Sequence, residues 1–350
     1  MIVRLTLGEM ERARLVLRGG SVLDWRRLNV SSRAECETIL SVNGFDPNDA
    51  DDRACLREIL LSAIDYLERT FQFIFPPEIR DAESPIDLML MAAGSDTVLR
   101  RQACIVLKVI LVVHHIEARE LKSRLNISDH ELFHLLEDKA SRVVREMQDQ
   151  GYPIIDFQSS HKTHDSIITK LLSKRQGNRA MLYDMLRFRI VTATTEEIVP
   201  VIAYLGQHLF PFHYTVPGES HNSLFDLRDY IRRHPRISKM IPELQVDLLY
   251  ENEMRPAPNP NTSDSYRTTN FIVDLPLRLE DRQLDIWAPG LKLSSRVVHV
   301  LAEFQILDQA SQSGNERGDA SHKRYKARRL TKVRQRLLRG MISWNGKEQL

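Results

Sequence analysis

A stretch between residues 159 and 191 holds the side chains whose types and spacing best suit chemistry. Lys162, Ser166 and Lys170 recur every four residues, which predicts one shared face in a helix. Asp184 follows them, directly before an apolar run that predicts a strand. Lysine brings compact positive charge to phosphate oxygens, and Mg²⁺ prefers one or two carboxylates together with phosphates. The stretch therefore predicts a site for a polyphosphate and its Mg²⁺ ion.

The motifs in this stretch resemble those of the synthetase domain of the RelA/SpoT alarmone enzymes. The matching residues are, in chain order, Ser159, Lys162, Ser166, Ile167 and Lys170, then Asp184, Arg189, Ile190 and Val191. Two later segments follow in the family's order. They are Glu303-Phe304-Gln305-Ile306, which resembles its Glu-x-Gln-Ile strand, and His322 with Tyr325-Lys326, which resembles its His-x-x-Tyr-Lys motif. The resemblance covers residues 155 to 340, about half of the chain.

The resemblance implies an enzyme that transfers pyrophosphate from ATP to the 3′-hydroxyl of GDP or GTP, as in guanosine tetraphosphate metabolism and the stringent response. It implies Mg²⁺ as the cofactor, ATP as the donor and nucleotides as the binding partners. The roles that it implies are Asp184 and Glu303 as catalytic and metal-binding carboxylates, Lys162, Ser166 and Lys170 on the triphosphate, Arg189 on adenine, Tyr266 on the acceptor base, and Gln305 and His322 lining the site. Without the resemblance, the ordinary interpretation of these residues would be structural. A lysine-rich helix face is usually solvated, and a carboxylate on a strand is usually solvated or paired with a cation.

The chain departs from the family pattern at positions that bear on its substrates. Ser160 stands where the family usually has an arginine, and Leu307 replaces the arginine that usually follows Gln-Ile. The acceptor loop keeps Tyr266 but lacks the glycine and histidine of the family's Asn-Gly-Tyr-Gln-Ser-x-His. The acceptor therefore stays open between GDP, GTP and an RNA 3′ end, as in toxin-like relatives. The alternative function is a catalytically silent protein that binds RNA or nucleotide.

Two strands are predicted to position these residues. In residues 297–307 apolar side chains alternate with Glu303 and Gln305, and residues 266–275 alternate less regularly, with Tyr266 at their start. Such alternation predicts that one face of a sheet packs on helices while the other faces a site. Interspersed helices and strands predict an α/β or α+β sheet. The resemblance sharpens this to an α+β class, with a helical N-terminal domain followed by a mixed β-sheet flanked by helices.

Residues 1–150 are predicted to form the helical N-terminal domain, and residues 151–350 the RelA/SpoT-like nucleotidyltransferase domain. The predicted helices of the first domain cover residues 51–73, 85–91, 96–125 and 128–150, the last opened by a capping box of Ser128 and Glu131. Gly151-Tyr152-Pro153 is a break in this pattern and sets the boundary. In the second domain, helices are predicted at 194–209 and 223–233, strands at 210–216 and 246–250, and polar connections at 251–265 and 311–319.

Enzymes of this family often carry a metal-dependent hydrolase domain upstream, which requires a His-Asp dipeptide with further His and Asp ligands. The His-Asp pair of this chain, His164-Asp165, lies inside the synthetase-like helix. The upstream histidines are therefore expected to be helix-face or core residues: His114, His115, His130 and His134. The upstream region is predicted to be a support or regulatory domain.

Composition excludes several other classes of protein. The 350 residues include 42% hydrophobic and 27% charged side chains, as in ordinary globular proteins, and the net charge of +2 gives no global field for nucleic acid. Cys36, Cys55 and Cys104 have no paired spacing, so they fit a reduced cytoplasm and neither a disulfide framework nor a zinc site. The most apolar run, residues 105–113, is short and contains Lys108, which predicts a buried helix and no membrane span.

A basic helix is predicted over residues 321–339, which contain nine lysines and arginines. Such a cluster can contact an RNA backbone. The alternative is a solvated helix whose apolar side chains face the core, namely Tyr325, Leu330, Val333, Leu337 and Leu338.

Overall fold

The computed structural model describes residues 5–18, 30, 32–173, 185–234, 266–290 and 295–316, together with 327, 330–335 and 337–338. Its first part is helical. The helices are α1 Leu7–Arg18, α2 Arg33–Val42, α3 Ala50–Phe71, α4 Pro77–Arg80, α5 Pro85–Ala93, α6 Thr97–Arg124 and α7 Asp129–Asp149. The four helices predicted for this part are confirmed, with bounds that differ by a few residues at most.

Local capping explains where the long helices begin and end. The Asp49 carboxylate accepts bonds from the first amides of α3, and Asp96 does the same for α6. Ser128 and Glu131 form the predicted capping box at the start of α7. After α7, Gly151 has a φ of +87°, a left-handed conformation that glycine adopts without a steric penalty. The predicted break after this helix is therefore confirmed.

After these helices, five strands of the described residues form one mixed sheet. They are β1 Ile154–His161, β2 Leu186–Thr192, β3 His221–Asn222, β4 Thr269–Arg278 and β5 Val297–Asp308, in the order β1-β2-β5-β4-β3. β2 and β5 are parallel, and the other neighbouring pairs are antiparallel. The helices described with this sheet include α8 His164–Ser173, α9 Ile198–His208, α10 Leu227–Arg233, α11 Asp281–Trp287 and α12 Gln309–Glu316. The predicted α+β class, with a mixed sheet flanked by helices, is confirmed.

A row of phenylalanine rings fixes the register of the four long strands. Phe157, Phe188, Phe304 and Phe271 each come from a different strand, and successive ring centroids lie 6.0, 5.2 and 5.4 Å apart. Because side chains alternate between the two faces of a strand, a slip of one residue would move this row to the opposite face. The same register therefore fixes which polar side chains share the other face.

Buried residues of the helical part and of the sheet form one continuous cluster. α1 packs on α9, and α6 packs on β5. Polar contacts cross the same boundary, since the Ser220 hydroxyl donates to the Val16 carbonyl and Lys139 Nζ donates to the Pro276 carbonyl, both at 2.8 Å. The division into two domains at residue 150 stays a prediction.

The helix predicted to carry Lys162, Ser166 and Lys170 begins later along the chain than expected. Ser159 lies in β1, where it pairs with β2, and α8 begins at residue 164. Pairing across the sheet overrides the local spacing here, because strand formation depends on neighbouring strands more than on the segment itself. Lys162 therefore stands between β1 and α8, and the prediction that it shares a helical face with Ser166 and Lys170 is wrong.

Two connecting segments also differ from expectation. Residues 210–216 form no strand. Instead a 3₁₀ turn, Phe212–Tyr214, follows Pro211, and a single bridge joins the segment to β4. Pro211 lacks an amide donor, and all three turn residues are buried, so neither a ladder nor an alternating face is present. The helix expected at residues 223–233 is confined to α10, whose first amides are capped by Asp226.

Residues 311–319 were expected to form a polar connection, but residues up to Glu316 belong to the helix α12. Asp308 Oδ1 accepts the Ser311 amide at 2.7 Å and so satisfies a donor at the start of this helix. The strand predicted at residues 266–275 is β4, which begins and ends slightly later along the chain, so Tyr266 precedes it.

The strand predicted at residues 246–250 and the loop at 251–265 lie outside the residues that the structure describes. In the described part of the chain, no helix combines the length and apolar character needed to cross a membrane.

Candidate functional site

The face of the sheet opposite the phenylalanine row carries two lines of polar side chains. In the parallel pairing of β2 with β5, Arg187 lies opposite Glu303 and Arg189 lies opposite Gln305. Glu303 is 9% exposed and Gln305 is 2% exposed. Buried polar groups require hydrogen-bond partners, and here the neighbouring strand supplies them. The alternation predicted for β5, with these two side chains away from the apolar face, is confirmed.

The first polar line pairs Glu303 with an arginine that the motifs did not single out. Arg187 Nε and Nη2 donate to Glu303 Oε2 at 2.8 and 2.7 Å. Such charge-assisted bonds fix the direction of the carboxylate as well as its position. The signal that could have found Arg187 is the two-residue period of a strand, because Arg187 stands two positions before Arg189. A carboxylate on a strand was expected to be either solvated or paired with a cation. Glu303 is paired, because it accepts both bonds described here from Arg187.

The second polar line joins three residues that the resemblance assigned to the nucleotide site. Arg189 Nε donates to Gln305 Oε1 at 2.8 Å, and Gln305 Nε2 donates to the hydroxyl oxygen of Tyr266. Burial raises the pKa of Tyr266, against the opposing effect of Arg189 and Arg187, so the phenol is neutral at neutral pH. One edge of the Arg189 guanidinium is thereby held in place, an arrangement that suits stacking on a base.

α12 anchors the segment that carries Tyr266. Asn315 Nδ2 donates to the Arg267 carbonyl at 2.6 Å, and the Arg267 amide donates to Asn315 Oδ1 at 2.9 Å. The next amide, that of Thr268, donates to Ser223 Oγ at 3.0 Å. Asn315 was missed at the sequence level because the segment around it was expected to be an irregular connection.

The residues expected on the triphosphate lie where β1, α8 and β2 meet. The Lys162 amide donates to the Met185 carbonyl at 2.9 Å, which joins the approach to α8 to the residue before β2. Thr163 directly precedes α8, and its hydroxyl donates to Ser166 Oγ in the first turn of that helix at 2.9 Å. Lys170 belongs to the same helix, but its side chain lies outside the described part of the structure. The structure therefore brings Lys162 to the beginning of β2, the strand that carries both arginines.

Asp184 and His322 lie outside the residues that the structure describes. The convergence of Asp184 with Glu303 on one metal ion therefore stays a prediction, as does the position of His322 in the site.

Part of the predicted basic helix is described. Residues 327, 330–335 and 337–338 are helical. Val333 is buried, whereas Leu330, Leu337 and Leu338 are exposed, so the expectation that these three leucines face the core is wrong. Contact of residues 321–339 with RNA stays a prediction.

Comparison with solved structures returns alarmone synthetases, the class of protein that the motifs resemble. The small alarmone synthetase 1 from Bacillus subtilis aligns with a TM-score of 0.31 and 16% identity, over 62% of this chain and 92% of that chain. The small alarmone synthetase 2 from the same organism aligns with a TM-score of 0.30 and 19% identity, over 61% of this chain and 95% of that chain. A GTP pyrophosphokinase family protein from Streptococcus pneumoniae aligns with a TM-score of 0.29 and 15% identity, over 61% of this chain and 87% of that chain.

No protein-family model and no curated protein matches the chain. Structural similarities with scores of this size carry no argument about activity. The contacts within this chain therefore have to support any function assigned to it.

Proposed function

We propose that the chain transfers pyrophosphate from ATP to the 3′-hydroxyl of a nucleotide, with Mg²⁺ bound by Asp184 and Glu303. The observation that supports this best is the pair of polar lines on one face of the sheet. One guanidinium paired with a nearly buried carboxylate, and a second guanidinium bonded to Gln305 two residues further along the strands, offer both signs of charge that a Mg²⁺–triphosphate complex requires. Burial of such groups is unfavourable for a sheet face that serves packing alone.

The donor set on this face fits Mg²⁺. The two bonds that Arg187 donates to Glu303 end on Oε2, so Oε1 is the atom that this carboxylate offers to a metal ion in the proposal. Asp184, which stands three positions before Arg187, supplies the second carboxylate in the proposal. One or two carboxylates together with phosphate oxygens and water are the ligands that Mg²⁺ usually takes. When bound, the ion stabilises charge on the β- and γ-phosphates.

The reaction requires an oriented hydroxyl and an acceptor for its proton. The 3′-oxygen attacks the β-phosphorus of ATP, the bond from that phosphorus to the α-phosphate oxygen breaks, and AMP leaves. Glu303 takes up the proton or orients the hydroxyl, and Arg187 keeps its carboxylate in place. The remaining roles follow the resemblance, with Lys162, Ser166 and Lys170 on the triphosphate, Arg189 on adenine, Tyr266 on the acceptor base, and Gln305 and His322 lining the site.

Binding is expected to be stronger for the donor than for the acceptor. Stacking on one aromatic side chain is worth about 1–3 kcal/mol, whereas micromolar affinity requires about 8 kcal/mol. ATP–Mg²⁺ should therefore bind measurably in calorimetric titrations, and GDP and GTP should bind more weakly. Lys170→Ala should weaken ATP–Mg²⁺ binding and leave the acceptor unaffected. Tyr266→Ala should reduce acceptor affinity about tenfold, the loss of one stacking contact.

Lys108→Ala, which removes a lysine from α6 outside this site, is the matched control and should change neither affinity. Tight GTP binding that Tyr266→Ala destroys outright would show that the acceptor pocket is complete. Absence of ATP–Mg²⁺ binding would contradict the donor site itself.

The alternative, RNA or nucleotide binding without catalysis, depends on the nine basic side chains of residues 321–339. An affinity for RNA that falls steeply with salt, in a protein that transfers nothing, would favour it. The nearly buried carboxylate of Glu303, paired with Arg187, has no part in that function, and for this reason the transferase is preferred.

A further inference from the structure

A second group of side chains with metal-binding chemistry lies away from the proposed nucleotide site. His115 of α6, Asp274 of β4 and His299 of β5 meet between the helix and the sheet. His115 Nδ1 lies 3.3 Å from Asp274 Oδ2 and 3.3 Å from His299 Nδ1, and His299 Nδ1 lies 3.9 Å from Asp274 Oδ2. Three atoms that can bind a metal ion therefore converge on one point.

The fold brings these residues together from distant parts of the chain. Asp274 lies opposite Leu301 in the antiparallel pairing of β4 with β5, which places it diagonally across from His299 on the same face. α6 packs on β5 and brings His115 to that face. The neighbouring His114 fixes the helix there, since its ring packs edge-on against His299 and its Nδ1 lies 2.7 Å from the Tyr214 hydroxyl.

We propose that His115, Asp274 and His299 bind one divalent transition-metal ion of the Zn²⁺ type, which ties α6 to the sheet. Ligands bonded to a tetrahedral Zn²⁺ at about 2.0–2.1 Å stand about 3.3 Å from one another, close to the separations found here. A shared proton would account for the close approach of two of these atoms, whereas one metal ion would account for the close approach of all three. Two imidazoles and a carboxylate are also a ligand set that Zn²⁺ uses in proteins.

The electrostatics of the group are compatible with such an ion. Burial lowers the pKa of His115 and of His299, so both imidazoles are neutral at neutral pH and can donate a lone pair. Burial raises the pKa of Asp274 to about 6, although Arg119 and Lys122 oppose the rise, and the carboxylate is still mostly ionised at pH 7.

The group is open on one side. The His299 side chain is 1% exposed and that of Asp274 is 14% exposed, whereas that of His115 is 35% exposed. Solvent can therefore supply the fourth ligand from the side of His115, as in zinc sites with three protein ligands and one water.

This site is separate from the proposed Mg²⁺ site and goes beyond the proposed function. His299 stands four positions before Glu303 on the same strand, a distance of about 13 Å along β5. Its nitrogen ligands select a different class of metal from the oxygen ligands near Glu303. The expected role is to hold α6 against the strands that carry the polar lines. The upstream histidines were expected to be ordinary helix-face or core residues, and the proposal departs from that expectation for His115.

The test uses the full-length protein stripped of metal with a chelator. Titration with Zn²⁺ is followed by calorimetry, and titration with Co²⁺ by the visible absorption of a tetrahedral cobalt site. One ion should bind per chain, and saturating Zn²⁺ should raise the Tm by about 4 °C, since binding to the folded state alone stabilises it. His115→Gln and Asp274→Asn should each weaken binding by at least about 100-fold and abolish the Tm shift, because even groups that only orient metal ligands contribute about 10–100-fold.

The matched control is His134→Gln. His134 belongs to a second histidine group, in which Glu137 contacts both His134 and His161, and it is more exposed than His115. This variant should bind Zn²⁺ like the unmodified protein. Binding lost in His134→Gln but kept in His115→Gln and Asp274→Asn would overturn the proposal. The absence of Zn²⁺ binding, or of a Tm shift, in the unmodified protein would also overturn it. Neither result would bear on the proposed function, because ATP binding and pyrophosphate transfer are measured separately.

Discussion

Glu303→Gln is expected to lower the rate of pyrophosphate transfer by about 10²–10⁴-fold, the usual contribution of a positioned acid or base. Glutamine keeps the size and one oxygen of the side chain but cannot take a proton or bind Mg²⁺ with a negative charge. Arg187 can still donate to the amide oxygen, so the sheet should remain folded. Asp184→Asn is expected to have an effect of the same kind. Single-turnover transfer rates and circular dichroism on the same samples measure both quantities.

Asp308→Asn is the matched control for this loss. Asp308 is a carboxylate of the same strand with a similar exposure, 8% against 9% for Glu303, but it accepts a bond from the Thr195 hydroxyl at 2.5 Å, outside the polar lines. Its asparagine variant should retain transfer. Full activity of Glu303→Gln at an equal folded fraction would show that Glu303 has no catalytic role. Equal losses in both variants would show that the loss comes from a disturbed fold.

Arg187→Gln is expected to lower both the free energy of unfolding and the transfer rate. Glu303 would keep its charge in a nearly buried position without its guanidinium partner, which costs about 2–3 kcal/mol for a pair that is not fully enclosed. The carboxylate would also lose its fixed direction, so kcat should fall more than the KM for ATP changes. Urea unfolding and steady-state kinetics measure the two effects.

Arg187→Lys separates charge from geometry. Lysine restores a positive charge but not the two N–H bonds that converge on Oε2, so stability should recover more than kcat does. The double variant Arg187→Gln with Glu303→Gln should be more stable than the sum of the two single changes predicts, because no unpaired charge remains. Unchanged stability and kinetics in Arg187→Gln would contradict the role given to this pair.

The parts of the fold that the sequence predicted well are those that local chemistry decides. Asp96 and Ser128 cap helices whose apolar spacing is regular, and both helices begin where these caps stand. In β5 every second residue from Val298 to Ile306 is apolar, and the polar residues Glu303 and Gln305 lie together on the other face as expected. In each case a few residues that are neighbours in the sequence determine the local structure.

The parts that were missed depend on residues distant in the chain. Lys162 has the spacing of a helix position but stands before α8, because β2 pairs with the residues up to His161. The pairing of Arg187 with Glu303 depends on the parallel register of two strands whose contacting residues are 116 positions apart. The contact of His115 with His299 spans 184 positions and requires α6 to lie on β5. Short motifs cannot encode such contacts, which appear only when the sheet is assembled.

Pyrophosphate transfer can be measured by incubating the protein with ATP labelled in the γ-phosphate, Mg²⁺, and GDP, GTP or tRNA in separate reactions. Chromatography separates the acceptors from ATP, ADP and AMP. The proposed function predicts that label moves to at least one acceptor and that one AMP is released for each label transferred. Glu303→Gln should show neither. Release of ADP in place of AMP, or no transfer to any acceptor by a protein that binds ATP–Mg²⁺, would contradict pyrophosphate transfer by this chain.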